Sequence, residues 1–197
     1  PAIPKRVSNG DLNLGNLPYA EDEVRVIASL YNAQPLTQQA ASETVVKQLM
    51  PTARIVHLAT HGLLDSFEKE KEGIPGSIVL ADDDENDGLL TSGEILQISL
   101  NAELVVLSAC DTGLGDITGD GVVGLSRSLV SAGAPSIIVS LWAVPDASTA
   151  GLMAEFYRQL RSGQDTAQSL RRAMLATMRA NPDLKDWAAF ILIVEIA

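Results

Sequence analysis

One cysteine in 197 residues rules out any internal disulfide, so the fold must rest on packing alone. Positive charge is also short: 14 Lys and Arg face 25 Asp and Glu, for a net charge of −11. A surface of that sign repels phosphate, which excludes nucleic-acid binding and favours a basic substrate or partner segment. The longest apolar runs, 134–144 and 187–194, are too short to span a bilayer. No basic stretch followed by an apolar one opens the chain, so no export signal is read and a cytoplasmic location is expected. The first residue is Pro1, and the chain is expected to be part of a longer protein. A lone cysteine in such a protein is either a small buried hydrophobe or a nucleophile.

What is present is ordinary globular composition, with 46% apolar and 20% charged residues, enough for one domain with a sizeable core. Residues 1–19 carry Gly, Pro and Asn without periodicity and are expected to be an extended lead-in to a domain over 20–197. Val24, Ile27, Ala28 and Tyr31 recur at helical spacing after the acidic start at Glu21. A short helix over 42–50 follows, with Ser42 as N-cap and Pro51 as its stop. Five apolar runs, at 55–60, 77–81, 104–109, 136–141 and 190–194, predict strands buried on both faces. Helices are expected at 92–98, 121–132, 147–161 and 165–180. The alternation predicts an α/β fold with a mostly parallel central sheet and right-handed crossovers.

In such sheets functional groups collect beyond the carboxyl ends of the strands. One run delivers His61 into Gly62; the other delivers Cys110 into Asp111-Thr112-Gly113. The two residues lie 49 positions apart, room for one crossover between neighbouring strands. An imidazole beside a thiol raises the thiolate fraction and later protonates the leaving amine. The adjacent glycines let backbone N–H groups approach a developing oxyanion, with the amides of Gly62 and Cys110 as candidate donors. His57, mid-strand between Val56 and Leu58, is expected to be a buried, hydrogen-bonded structural histidine.

These residues carry a family resemblance. His57-Leu58-Ala59-Thr60-His61-Gly62 and Leu107-Ser108-Ala109-Cys110-Asp111-Thr112-Gly113 resemble the histidine and cysteine motifs of the CHAT domain. That family is a caspase-like, separase-related group of clan CD cysteine peptidases. Asp87-Gly88-Leu89-Leu90-Thr91, Ser140-Leu141-Trp142-Ala143-Val144-Pro145-Asp146 and Trp187-Ala188-Ala189-Phe190 are similar to further landmarks, in the same order. The resemblance implies a caspase-like α/β/α sandwich, peptide-bond hydrolysis by a His61–Cys110 dyad, and fusion to a helical-repeat or other regulatory domain. Asp146 matches a position associated with recognising a basic P1 residue. It also reads as the N-cap of the helix from Ala147, and one residue can serve both ends. Asp111 is the second candidate for that pocket. Ser108 stands where metacaspases carry an acid, so it supplies no charge there.

Two other features suggest ligand loops at first sight. The acidic run 83–94 nearly fits a calcium-loop pattern, but Glu85 stands at its third position and a strand precedes it. It reads as a solvated loop, and no metal or cofactor is expected. The glycines at 113, 115, 119 and 121 lack a phosphate-loop pattern and suggest a flexible flap behind the nucleophile. The stripe Leu152, Phe156 and Leu160 is helical core spacing. The expected function is a cysteine endopeptidase acting on a protein or peptide, with an idle caspase-like docking module as the alternative. Peptide-library cleavage separates the two.

Overall fold

The computed structural model describes residues 4, 14, 16–63, 76–108, 110–111 and 119–194. Residues 64–75, and residues 112–118 where the flap is expected, lie outside that set. Eight strands are present among the described residues: β1 Ile55–Leu58, β2 His61–Leu63, β3 Ser77–Val79, β4 Leu89–Thr91, β5 Leu104–Leu107, β6 Cys110–Asp111, β7 Ser136–Ser140 and β8 Phe190–Val194. The helices are α1 Pro18–Tyr31, α2 Glu43–Leu49, α3 Ser92–Ile95, α4 Gly119–Ser131, α5 Asp146–Arg161, α6 Thr166–Ala180 and α7 Leu184–Trp187.

The strands form two four-stranded sheets, ordered β1-β5-β7-β8 and β4-β3-β2-β6. Two of the apolar runs pass from one sheet into the other. The run carrying β1 breaks at Ala59 and Thr60 and resumes as β2, and the run carrying β5 resumes as β6. The pairs β1–β5, β5–β7 and β2–β6 are parallel, whereas β7–β8, β2–β3 and β3–β4 are antiparallel. The expected α/β fold is therefore present, and its first sheet, β1-β5-β7-β8, is mostly parallel.

Near-continuous apolar sequence in β5 and β7 follows from burial on both faces. Val105, Leu107, Ile137 and Val139 pack into one core with Val46, Met50, Leu125 and Leu129 from α2, its C-cap and α4. Their neighbours Leu104, Val106 and Ile138 pack into a second core with Leu152, Phe156, Tyr157 and Leu170 from α5 and α6. Alternation along each strand feeds both cores, which makes three layers. Each fully buried aliphatic side chain contributes about 1.5–3 kcal/mol. The stripe in α5 is core as expected: Leu152 and Phe156 are inaccessible and Leu160 packs alongside.

Several boundaries differ from the sequence reading. The strand expected over 77–81 ends at Val79, although Ala81 makes an isolated bridge with Ser42. β4 was read as part of the acidic loop, because three residues are too few to show a period. The helix expected over 92–98 is one turn, Ser92–Ile95, set by a capping box between Thr91 and Glu94. The helix expected from Gly121 begins two residues earlier, so Gly119, expected in a flap, belongs to α4. The helix expected from Ala147 already begins at Asp146, so Pro145 is its N-cap and Asp146 caps nothing of its own helix. In α1 the buried stripe is Ala20, Glu23, Ile27 and Ala28, so an acid occupies a core position and Tyr31 is 39% exposed. Ser42 does cap α2, accepting from the Val45 N–H, and Asp165 caps α6.

The lead-in is anchored at Leu14, which is buried with Leu63, Val79 and Leu89 against the second sheet. On the same flank, Lys47 of α2 donates to Glu43, Asn86 and Glu94 at 3.2, 3.0 and 3.0 Å. Glu43 in turn accepts the Gly88 N–H at 2.9 Å. Asp83 accepts from the Thr44 hydroxyl and from the N–H groups of Thr44, Glu85 and Asn86. These donors hold its carboxyl well below the ordinary range, against the burial that opposes them. Thus α2, the acidic loop and α3 form one hydrogen-bonded unit.

Candidate functional site

The site grows from the two runs that cross between the sheets. In the first sheet Ile55 pairs with Leu104 and Leu58 with Leu107. In the second, His61 pairs with Cys110 and Gly62 with Asp111. Every one of these partners differs by the same 49 positions, so the two parallel runs keep register across the break at 59–60. Adjacent strands lie about 4.8 Å apart, which brings the backbone positions of His61 and Cys110 within side-chain reach of each other. The two residues singled out from the sequence are thus lateral neighbours.

Local contacts fix β2. The Thr60 hydroxyl donates to the Val79 carbonyl at 2.6 Å, clamping the break against β3. β2 is an interior strand, with Gly62 facing Ile78 on one side and Asp111 on the other. β6 is an edge strand among the described residues. His61 is 1% exposed and Thr60 4%. Ser108, one residue beyond β5, is 5% exposed.

His57 is buried and hydrogen-bonded, as its mid-strand place suggested. Its Nε2 lies 2.7 Å from Glu23 Oε1 and its Nδ1 lies 3.1 Å from the Tyr157 hydroxyl. One arrangement satisfies all three groups: Nε2–H donates to the carboxylate, and the Tyr157 hydroxyl donates to Nδ1. Burial pushes the Tyr157 hydroxyl pKa well up, which keeps it a donor. Its ring also meets Phe156 and Tyr31 edge-on. Glu23 and Tyr157 escaped the sequence reading. The one available signal was that Glu23 stands four residues before Ile27, on the face that α1 buries.

Asp146 sits elsewhere than a helix cap of its own. Its Oδ2 accepts the Tyr19 N–H at 2.8 Å, so it serves the free N-terminal amides of α1 from across the fold. Burial pushes its pKa up, Glu23 adds to that, and the Tyr19 N–H pulls against it. Asp111 follows Cys110 in β6, level with Gly62. Trp142 and Leu141 are 36% and 38% exposed just beyond the end of β7. No helix among the described residues is long and apolar enough to cross a membrane.

Comparison with known proteins adds two findings. The profile of the CHAT domain matches residues 2–195. Tetratricopeptide repeat protein 28 of Homo sapiens is 31% identical over 98% of this chain, as is its Mus musculus counterpart. The matched region is 9% of the length of either relative.

Proposed function

The chain belongs to the CHAT domain family, and from that premise we propose that it is a cysteine endopeptidase in which Cys110 is the nucleophile and His61 its acid–base partner. The observation that carries this reading is the lateral pairing of His61 with Cys110 on parallel strands. His61 takes the thiol proton, the thiolate attacks the scissile carbonyl, and a thioacyl intermediate forms as the amine leaves with that proton. Water, deprotonated by the same imidazole, then releases the acid. The amides of Cys110 and Gly62 are the proposed oxyanion donors. Of the two, Cys110 lies on a strand that is at the sheet edge among the described residues, while Gly62 has neighbours on both sides.

A basic P1 residue is proposed on the strength of the net charge of −11 and of Asp146, with Asp111 as second candidate. The site is proposed to use no metal or cofactor and to act in the cytoplasm. The parent protein is proposed to carry a regulatory helical-repeat region, as the name of the matched relatives suggests.

The second reading is a caspase-like docking module, favoured by the burial of His61 to 1% exposure. The test is labelling with an electrophilic thiol probe and incubation with a peptide library, comparing the wild type with Cys110→Ala. Expected are labelling and cleavage by the wild type only. Labelling equal to that of the alanine variant, with no peptide cut, would overturn the peptidase reading in favour of docking.

A further inference from the structure

β2 is three residues long and carries His61 at its first position. Its parallel neighbour β6 has two residues and stands at the sheet edge among the described residues, so it gives β2 little support. The firm side is β3, where Ser77, Ile78 and Val79 are inaccessible to solvent. β3 is itself held from its far side. It pairs with β4 from Ser77–Thr91 to Val79–Leu89, and the Leu80 N–H then donates to the Gly88 carbonyl at 2.8 Å.

The register of β2 on β3 runs from Leu63–Ser77 to Gly62–Ile78 and stops one position short of His61. Continued by one, it would set Val79 opposite His61. Backbone groups alternate sides along an antiparallel strand, so with Leu80 turned to β4, the Val79 carbonyl turns to β2. A carbonyl buried there needs a donor. The donor is a side chain, the Thr60 hydroxyl, at 2.6 Å. Thr60 is 4% exposed, and its β-branched side chain is stiff at the first torsion. The bond therefore holds the Thr60 backbone as well as its hydroxyl. Thr60 closes the break at 59–60, and the next residue is His61.

We propose that Thr60 is a positioning residue for His61: by holding the Val79 carbonyl, its hydroxyl sets where β2 begins, and so the distance and angle at which the imidazole meets the Cys110 thiol. The proposal rests on the reading of His61 and Cys110 as a working pair, and adds what keeps the pair in place. Thr60 acts through His61 and takes no proton itself. Transfer between imidazole and thiol depends steeply on geometry, and a misplacement of about 1 Å can cost about a hundredfold in rate. One hydrogen bond beside the histidine thus counts for more than a similar bond elsewhere in the core.

The experiment compares the whole chain as wild type, Thr60→Val, Thr60→Ser and Thr60→Ala. Valine keeps the shape and removes the hydroxyl; serine and alanine both lose a methyl group and differ in the hydroxyl alone. The readout is the rate at which iodoacetamide alkylates the single cysteine at about pH 6.5 and about pH 9.5, on either side of an ordinary thiol pKa of about 8.5. A well-placed imidazole raises the rate at the lower pH only. For Thr60→Val and Thr60→Ala the expected rate is about tenfold lower than that of the wild type at the lower pH, and within about twofold of it at the higher. Thr60→Ser is expected to match the wild type at both. A general loosening of the core would instead change the two rates together. Should the valine variant fail to fold, the serine and alanine variants carry the same comparison. The proposal is overturned if all four chains share one ratio of rates, or if serine falls with alanine. A wild type that alkylates as an ordinary thiol overturns it together with the pairing. Cleavage of a peptide library is scored separately. The expected ratios without any cleavage support the positioning role and refute the peptidase reading.

Discussion

Glu23 of α1 and His57 of β1 meet at 2.7 Å inside the protein, with side-chain exposures of 2% and 8%. Tyr157 of α5 completes the set from the other side of the imidazole. Three elements from distant parts of the chain are therefore joined through one ring, four residues before His61. Removing Glu23 leaves a buried imidazole N–H without an acceptor, the more costly half of a broken pair.

Glu23→Ala is accordingly expected to destabilise the fold by about 1–3 kcal/mol. Glu23→Gln keeps an oxygen in place and should cost less. Urea unfolding, read by its midpoint, checks the order. Equal stability of the alanine variant and the wild type would show that the contact has no structural weight.

Asp146 carries a structural and a proposed functional role, and the two separate by measurement. Asp146→Ala is expected to cost about 1 kcal/mol, as loss of a cap does, because the Tyr19 N–H loses its acceptor. If Asp146 also selects P1, the variant loses its preference for Arg or Lys among cleaved peptides at a temperature where it remains folded. Unchanged preference alongside reduced stability would leave Asp146 with the cap alone.

The Lys47 cluster gives a pH signature. Hydrogen bonds from Thr91 and Lys47 outweigh burial at Glu94 and hold its carboxyl down at about 2, from an ordinary 4.5. Burial instead raises Glu43, despite the same lysine. A folded pKa below the unfolded one stabilises above the unfolded value, and that stability is lost as pH falls through the folded value. Glu94→Gln is therefore expected to cost about 1 kcal/mol at neutral pH, discounted because the side chain is 32% exposed. The gap to the wild type should narrow between pH 4.5 and about 2. A gap that stays constant across that window would contradict the assignment.

Gly88 and Gly163 both have positive φ, +83° and +90°, but only one is crowded. A Cβ at Gly88 would meet the Leu80 carbonyl at 2.8 Å and the Asp82 nitrogen at 2.9 Å, both backbone. At Gly163 nothing lies within 4 Å. Gly163→Ala is expected to cost about 1 kcal/mol from backbone strain alone, and Gly88→Ala about 3 kcal/mol or more. Thermal unfolding of the two variants provides the comparison. Equal shifts would mean that the close approach at Gly88 relaxes freely.

Much of this architecture was legible in the sequence because it rests on local pattern. The double-sided burial of β5 and β7 wrote itself as unbroken aliphatic runs, and Ser42 announced its helix by capping. His61 and Cys110 stood out because each ends such a run beside glycine. What stayed hidden is long-range. Nothing near Glu23 marks it as the partner of His57, and an acid on a helix reads as solvated until the packing is known. Asp146 was read as a cap for the helix that follows it, whereas its carboxylate reaches a helix more than a hundred residues away. β4 was too short to declare a period, and the splitting of two runs between sheets leaves no trace in hydropathy.

The constant offset between the two central runs has a consequence for how such a chain can vary. The 49 positions from His61 to Cys110 include a stretch between β2 and β5 whose length the pairing itself does not dictate. A deletion there need not disturb the pair. One residue added between Leu107 and Cys110 is another matter. It would set a different residue opposite His61 and turn the alternation of the run over, burying what had been outward. Tolerance to insertion should therefore fall abruptly at the ends of β1 and β5, within a few residues, and not grade with distance from the cysteine.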